Sequence, residues 1–191
     1  MTTQAQTAIN YYLSLPAGRS LSKDVAVGIV SVLAVESGLN PTAVNNSGTD
    51  AGGVLNPAGA YGLAQWNGPR QQALANFATS MKLDPSALDT QLHFVLTEAA
   101  NSYPKVWAAI NQVGMTYQNF IPIFVAEYEV PANQPAEVAK ALANAEAWYS
   151  EVPTPQPVPV PTPIPSTNAV AIAQITDVIA ILQSLLKTLG A

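Results

Sequence analysis

A chain of 191 residues, 49% of them apolar, can bury a core of its own, while a charged fraction of 10% and a formal net charge of -5 lack the basic footprint of a nucleic-acid binder. The chain has no cysteine and one histidine, which excludes disulfides, thiolate metal sites, a cysteine nucleophile and a multi-histidine zinc centre. No metal or other cofactor is therefore expected. The opening Met1-Thr-Thr-Gln-Ala-Gln has neither a basic start nor a following apolar stretch, so no export signal of the Sec type is expected.

In chain order, Ser20 or Ser22 can cap a first helix running to about Ser37, with Gly38 and Asn40-Pro41 as its stop. Asn45 to Gly59 follows, rich in Gly, Asn, Ser and Asp, and longer than an incidental connection inside a packed domain. Asn67, with Pro69 in the first turn, opens a helix with Leu74, Phe77, Ala78 and Met81 on one face. Asp84-Pro85-Ser86 opens the next, with Leu88, Leu92, Val95 and Ala99 at helical spacing and His93 expected as a buried, hydrogen-bonded helix histidine. Tyr103 to Gln112 reads as a short fourth helix. Thr116 starts a fifth containing Phe120, Phe124 and Tyr128, which Pro122 should kink or delay. Asn133-Gln134-Pro135 starts a sixth, with Val138, Leu142, Ala145 and Tyr149 inward. Residues 1–150 thus read as one mainly helical domain, all-α or α+β in class.

The composition changes at Glu151. Val152 to Pro165 places a proline at every second position, which forbids helix and central strand and leaves polyproline II. At about 3.1 Å per residue, residues 151–166 make a semi-rigid spacer on the order of 40 Å long. In residues 167–191, Ile172, Ile175, Ile179, Leu182, Leu186 and Leu189 form an a/d seam, widened by Val178 and Leu185. Such a helix suits self-association or docking on another protein. Gln174, Asp177, Gln183 and Lys187 interrupt the run and argue against a membrane span, the competing reading.

One carboxylate stands out for chemistry. Val25, Ile29, Val32 and Glu36 share one helical stripe. Desolvation there would favour the neutral acid, as a general acid working near neutral pH requires. The bland alternative is a glutamate that has reached the helix end and turned into solvent.

Glu36-Ser-Gly-Leu-Asn-Pro41, followed after the Gly-rich loop by Gly59-Ala-Tyr-Gly-Leu-Ala-Gln-Trp-Asn-Gly-Pro-Arg70, resembles the phage tail lysozyme family of the lysozyme-like superfamily. The likeness extends through Thr90-Gln91-Leu92 and Phe124 to Pro131, covering roughly residues 20 to 145. It implies a lysozyme-like fold, cleavage of peptidoglycan glycan strands, a virion setting with action in the bacterial wall or periplasm, and Glu36 as the catalytic acid. It also implies that Gln65 meets an acetamido sugar and that Trp66 or Tyr61 offers a flat face to a pyranose ring, core packing being the other reading of Trp66. Tyr128 lies in a motif associated with the cleft, although its spacing equally describes a buried face. Glu129 matches an acidic position, for which a salt bridge or a cap is the safer reading. Asp50 is the one candidate for a second carboxylate in the loop, and it can equally be a turn residue. Hydrolysis and lytic transglycosylation by Glu36 alone both stay open, as does a non-catalytic glycan-binding or structural role.

Overall fold

The computed structural model describes residues 1–16, 18–46 and 52–153. The expected spacer beyond Pro153, the heptad helix at 167–191 and Asp50 lie outside the described residues.

The chain begins with a helix that the sequence reading did not anticipate, α1 (Thr3–Leu13). Thr2 caps it by accepting from the amide of Ala5, and Ala5, Ala8, Ile9 and Tyr12 form its buried stripe. The next helix, α2 (Lys23–Ser37), starts at Ser22, whose Oγ accepts from Val25 N at 3.2 Å, and ends at the left-handed Gly38. Every residue from Val25 to Leu33 is buried. A helix apolar on all sides must be enclosed on all sides, and α2 is the axis of the domain.

A two-residue antiparallel pair, β1 (Val44–Asn45) with β2 (Ala60–Tyr61), brackets the Gly-rich stretch. Helices α3 (Gly68–Met81), α4 (Leu88–Ser102) and α5 (Pro104–Ile110) follow. Leu74 and Ala78 of α3 point inward as expected, but Met81 is 51% exposed because the helix has by then run past the core. The α4 helix begins at Leu88 rather than at Asp84, since Asp84 Oδ1 is taken by the amide and hydroxyl of Ser86 in a local turn. His93 is half-buried with its ring edge-on to Phe77 at 5.1 Å, and among the described residues its ring makes no hydrogen bond, where a buried, hydrogen-bonded histidine was expected.

Thr116 caps α6 (Tyr117–Phe124), and Pro122 lies inside it without ending it. The winding then widens into a π-helical turn, Val125–Glu129, closed by Val130 at φ 50. After Asn133, α7 (Gln134–Tyr149) returns along α2. Helices α1, α6 and α7 all pack on α2. Its approach to α6 depends on Gly28, where an added Cβ would lie 2.7 Å from the Phe120 ring.

Start and end of the helical body meet. The Met1 ammonium pairs with Glu151 at 2.9 Å, Lys23 Nζ donates to Val152 O at 2.6 Å, and Val152 is buried. The first residues expected in the spacer therefore belong to the body.

Candidate active site

Glu36 sits in the last turn of α2, one turn beyond the buried Val32. It is half-buried. Burial pushes its carboxyl up to about 7 and the charge of Glu137 adds to the shift, while Arg70 and Lys140 pull the other way. Lys140 is already paired with Glu137 at 3.2 Å, which blunts both contributions.

The Gly62-Leu-Ala-Gln-Trp66 segment forms a tight turn. Tyr61 and Trp66 exchange two backbone hydrogen bonds of 2.9 Å, with Gly62 at φ 78 and Gln65 at φ 43 between them. Gln91 from α4 pins this turn to the segment that follows Glu36. Its Oε1 accepts from Leu63 N at 2.9 Å, and its Nε2 donates to Pro41 O at 2.7 Å and Pro85 O at 2.8 Å. Gly62 is required here twice over, since a Cβ would fall 2.7 Å from Gln91 Oε1 and its positive φ disfavours other residues. The Gly62 amide also donates to Ala43 O at 2.8 Å. The two sequence blocks around Glu36 and Trp66 are thus bound together through Pro41, Ala43 and Gln91. A second buried glutamine, Gln71, holds the outer loop, accepting from the amides of Leu55 and Asn56 and donating to Trp66 O at 2.8 Å.

Gln65 is half-buried, and its Nε2 is engaged with Gly62 O at 2.8 Å. Tyr61 is nearly enclosed, 9% exposed. Trp66 and Tyr128 correct the expectation of sugar-facing rings. Trp66 is fully buried, edge-on to Phe94 at 5.4 Å, and Tyr128 is stacked on Phe124 at 4.6 Å. An enclosed ring has no face to offer a pyranose, so both belong to the core that supports the site.

What ties them together is a buried pair that the sequence reading missed. Glu98 of α4 accepts from Trp66 Nε1 at 2.9 Å, from Arg70 Nε at 2.8 Å and Nη2 at 2.9 Å, and from the Tyr128 hydroxyl. The Arg70 guanidinium lies over the Tyr128 ring at 4.6 Å and over Tyr103 at 5.6 Å. Burial opposes the Arg70 cation, but the hydrogen bonds to Glu98 and the surrounding charges outweigh it and hold the cation more firmly than usual. Glu98 follows Gln91 and Val95 at spacings of seven and three, so both polar side chains sit on the edge of the inward stripe of α4.

Glu129, at the end of the π-turn, is in neither a salt bridge nor a cap. Its Oε1 is sealed from solvent with no hydrogen-bond partner among the described residues. Burial raises its carboxyl well above the usual range; Glu36 and Glu98 add to this and Arg70 partly offsets it. Two recesses open nearby, one of about 580 Å³ at Gly52, Pro57, Pro69 and Gln72 and one of about 240 Å³ beside Arg70, Glu98 and Tyr103; Glu36 lines neither. Among the described residues no group of three or more His, Asp or Glu could hold a metal ion.

The family model described as phage tail lysozyme matches residues 4–152. No curated protein matches the chain.

Proposed function

Because the chain belongs to the phage tail lysozyme family, a family of peptidoglycan-cleaving enzymes, we propose that it breaks the β-1,4 bond between N-acetylmuramic acid and N-acetylglucosamine with Glu36 as general acid. The observation that carries this reading is the half-buried Glu36 at the end of the axial helix, raised by burial to about 7. At that value a large share of the molecules hold a proton there near neutral pH. Glu36 gives its proton to the glycosidic oxygen as the bond to the sugar carbon breaks. The carboxylate left behind then takes a proton from the attacking hydroxyl. The half-buried Gln65 is the proposed sugar contact, because it lies in the turn that Gln91 ties to the segment after Glu36, whereas the ring of Tyr61 is nearly enclosed.

The attacking hydroxyl belongs either to water or to the substrate itself. Burial raises the Glu129 carboxyl well above the usual range, which makes it a poor second carboxylate. That favours Glu36 serving alone as donor and then base, which is compatible with lytic transglycosylation as well as hydrolysis. We further propose that the enzyme acts from a phage virion on the bacterial wall, with residues 167–191 joining it to its own copies or to a virion protein.

Digestion of purified peptidoglycan by the full chain, followed by mass spectrometry of the muropeptides, tests the reading. Reducing N-acetylmuramic acid ends indicate hydrolysis and 1,6-anhydro ends indicate transglycosylation. Equal product from wild type and Glu36→Gln would remove Glu36 from the chemistry, and no product from wild type would favour a binding role.

A further inference from the structure

Trp66 and Tyr128 are enclosed and Tyr61 is nearly so, which leaves the turn that carries Gln65 without an aromatic face for a sugar ring. A half-buried ring stands at the junction of α4 and α5, on Tyr103. It lines the recess of about 240 Å³ together with Arg70, Glu98, Asn101 and Ser102. Packing fixes the ring in place, with Tyr128 at 4.9 Å and the Arg70 guanidinium at 5.6 Å.

The polar groups of this recess are of two kinds. Glu98 takes both short hydrogen bonds of Arg70, so that the pair brings no net charge to the recess. Arg70 Nη1 makes only a 3.5 Å contact with Tyr128 O, which leaves it N–H capacity to spare. Among the described residues, the side-chain amide of Asn101 and the hydroxyls of Ser102 and Tyr103 make no hydrogen bond at all. A balanced ion pair, a flat ring and free amide and hydroxyl groups suit a neutral polyhydroxylated ligand. An anion would meet Glu98 as well as Arg70.

Two connections tie the recess to the turn that carries Gln65. Trp66, next to Gln65 in the chain, donates its Nε1 to Glu98 at 2.9 Å. Pro69, in the first turn of α3, lines this recess and also the larger one of about 580 Å³ at Gly52 and Pro57, so the two depressions adjoin across one proline ring.

We propose that the recess at Tyr103 is a subsite for one N-acetylhexosamine unit of the glycan strand, with the Tyr103 ring under the sugar and Asn101, Ser102 and Arg70 Nη1 hydrogen-bonding to its hydroxyl or acetamido groups. The proposal rests on the peptidoglycan substrate put forward above. A recess of this size takes one pyranose and not a disaccharide. Glu36 does not line it, so the subsite holds the strand and takes no part in proton transfer. A contact that is the same before and during bond breaking acts on KM rather than on kcat.

The test is an NMR titration of the amide signals of the full chain with tri-N-acetylchitotriose, a soluble neutral oligomer of N-acetylglucosamine, run beside sodium acetate as a small anion. Chitotriose is expected to shift Asn101, Ser102 and Tyr103, and acetate to leave them in place. Tyr103→Ala should weaken that binding roughly fivefold to tenfold. Ala73→Met fills the recess from an exposed position on α3 with another good helix former. It should weaken binding without lowering Tm, which separates a lost subsite from a disturbed fold. With solubilised peptidoglycan, both variants should raise KM at nearly constant kcat. Chitotriose shifts that leave residues 101–103 unmoved overturn the inference, as do signals there that answer to acetate alone, or an affinity and a KM that both variants keep. In each of those cases cleavage by wild type leaves the function proposed for Glu36 standing. If wild type fails to cleave, that function fails, and the titration still decides whether the recess seats a sugar.

Discussion

Replacing Glu98 by glutamine perturbs the support of the site without changing its shape. The carboxylate is 7% exposed and receives hydrogen bonds from Trp66 Nε1, Arg70 Nε, Arg70 Nη2 and the Tyr128 hydroxyl. An amide offers one acceptor oxygen in place of two and turns its own N–H donors toward a cation and other donors. Removing one partner of a buried pair costs about 3–5 kcal/mol. Because the Arg70 side chain is 24% exposed and keeps some solvent, a figure of about 3 kcal/mol is the appropriate one. For a domain of this size that lowers Tm by about 6–12 °C. The unpaired Arg70 charge then acts more strongly on Glu36 and Glu129, whose protons it already disfavours, so the alkaline limb of the pH–activity profile moves to lower pH. Calorimetry of the full chain and pH profiles of peptidoglycan clearing measure both effects. A Tm within about 2 °C of wild type would mean that the pair does not hold the site together.

Glu36→Gln should abolish cleavage while stabilising the protein at alkaline pH. The folded carboxyl is raised from 4.5 to about 7, so its contribution to stability is complete below the unfolded value and is lost as pH rises through the folded one. The full shift corresponds to roughly 3 kcal/mol, or about 2 kcal/mol once solvent reaching the half-buried side chain is allowed for. The variant should therefore melt higher than wild type at pH 8 and nearly level with it at pH 4; equal differences at both pH values would contradict the shift. Gly62→Ala should destabilise by about 2 kcal/mol, since the added methyl both opposes the left-handed backbone and displaces Gln91. Chemical denaturation checks this, and a variant as stable as wild type would show that the Gln91 clamp yields freely.

Helix capping and periodicity made much of this fold readable in advance. Ser22, Thr116 and Asn133 cap helices where the sequence indicates. The stripe ending at Glu36 describes a buried helix with one carboxyl at its edge, and so it proved. The missed α1 had a legible signal in Thr2 followed by Ala5, Ala8, Ile9 and Tyr12, but two of those positions are alanines, which mark a buried stripe only weakly. For Trp66 and Tyr128 the sequence left a sugar face and a buried face both open, because burial on every side depends on partners such as Glu98, 32 and 30 residues away. Glu129 lay beyond sequence reasoning for a related cause. The π-turn changes the angular position of its last residues, and a wheel drawn at 3.6 residues per turn does not predict where that carboxyl points.

Proton occupancy of Glu36 can be measured directly in the full chain by carbon-detected NMR, its carboxyl resonance assigned by its disappearance in Glu36→Gln. Burial at the end of α2 predicts a midpoint near 7. A midpoint near 4.5, the value of a freely hydrated glutamate, would contradict the claim that this site keeps a proton ready for a glycosidic oxygen.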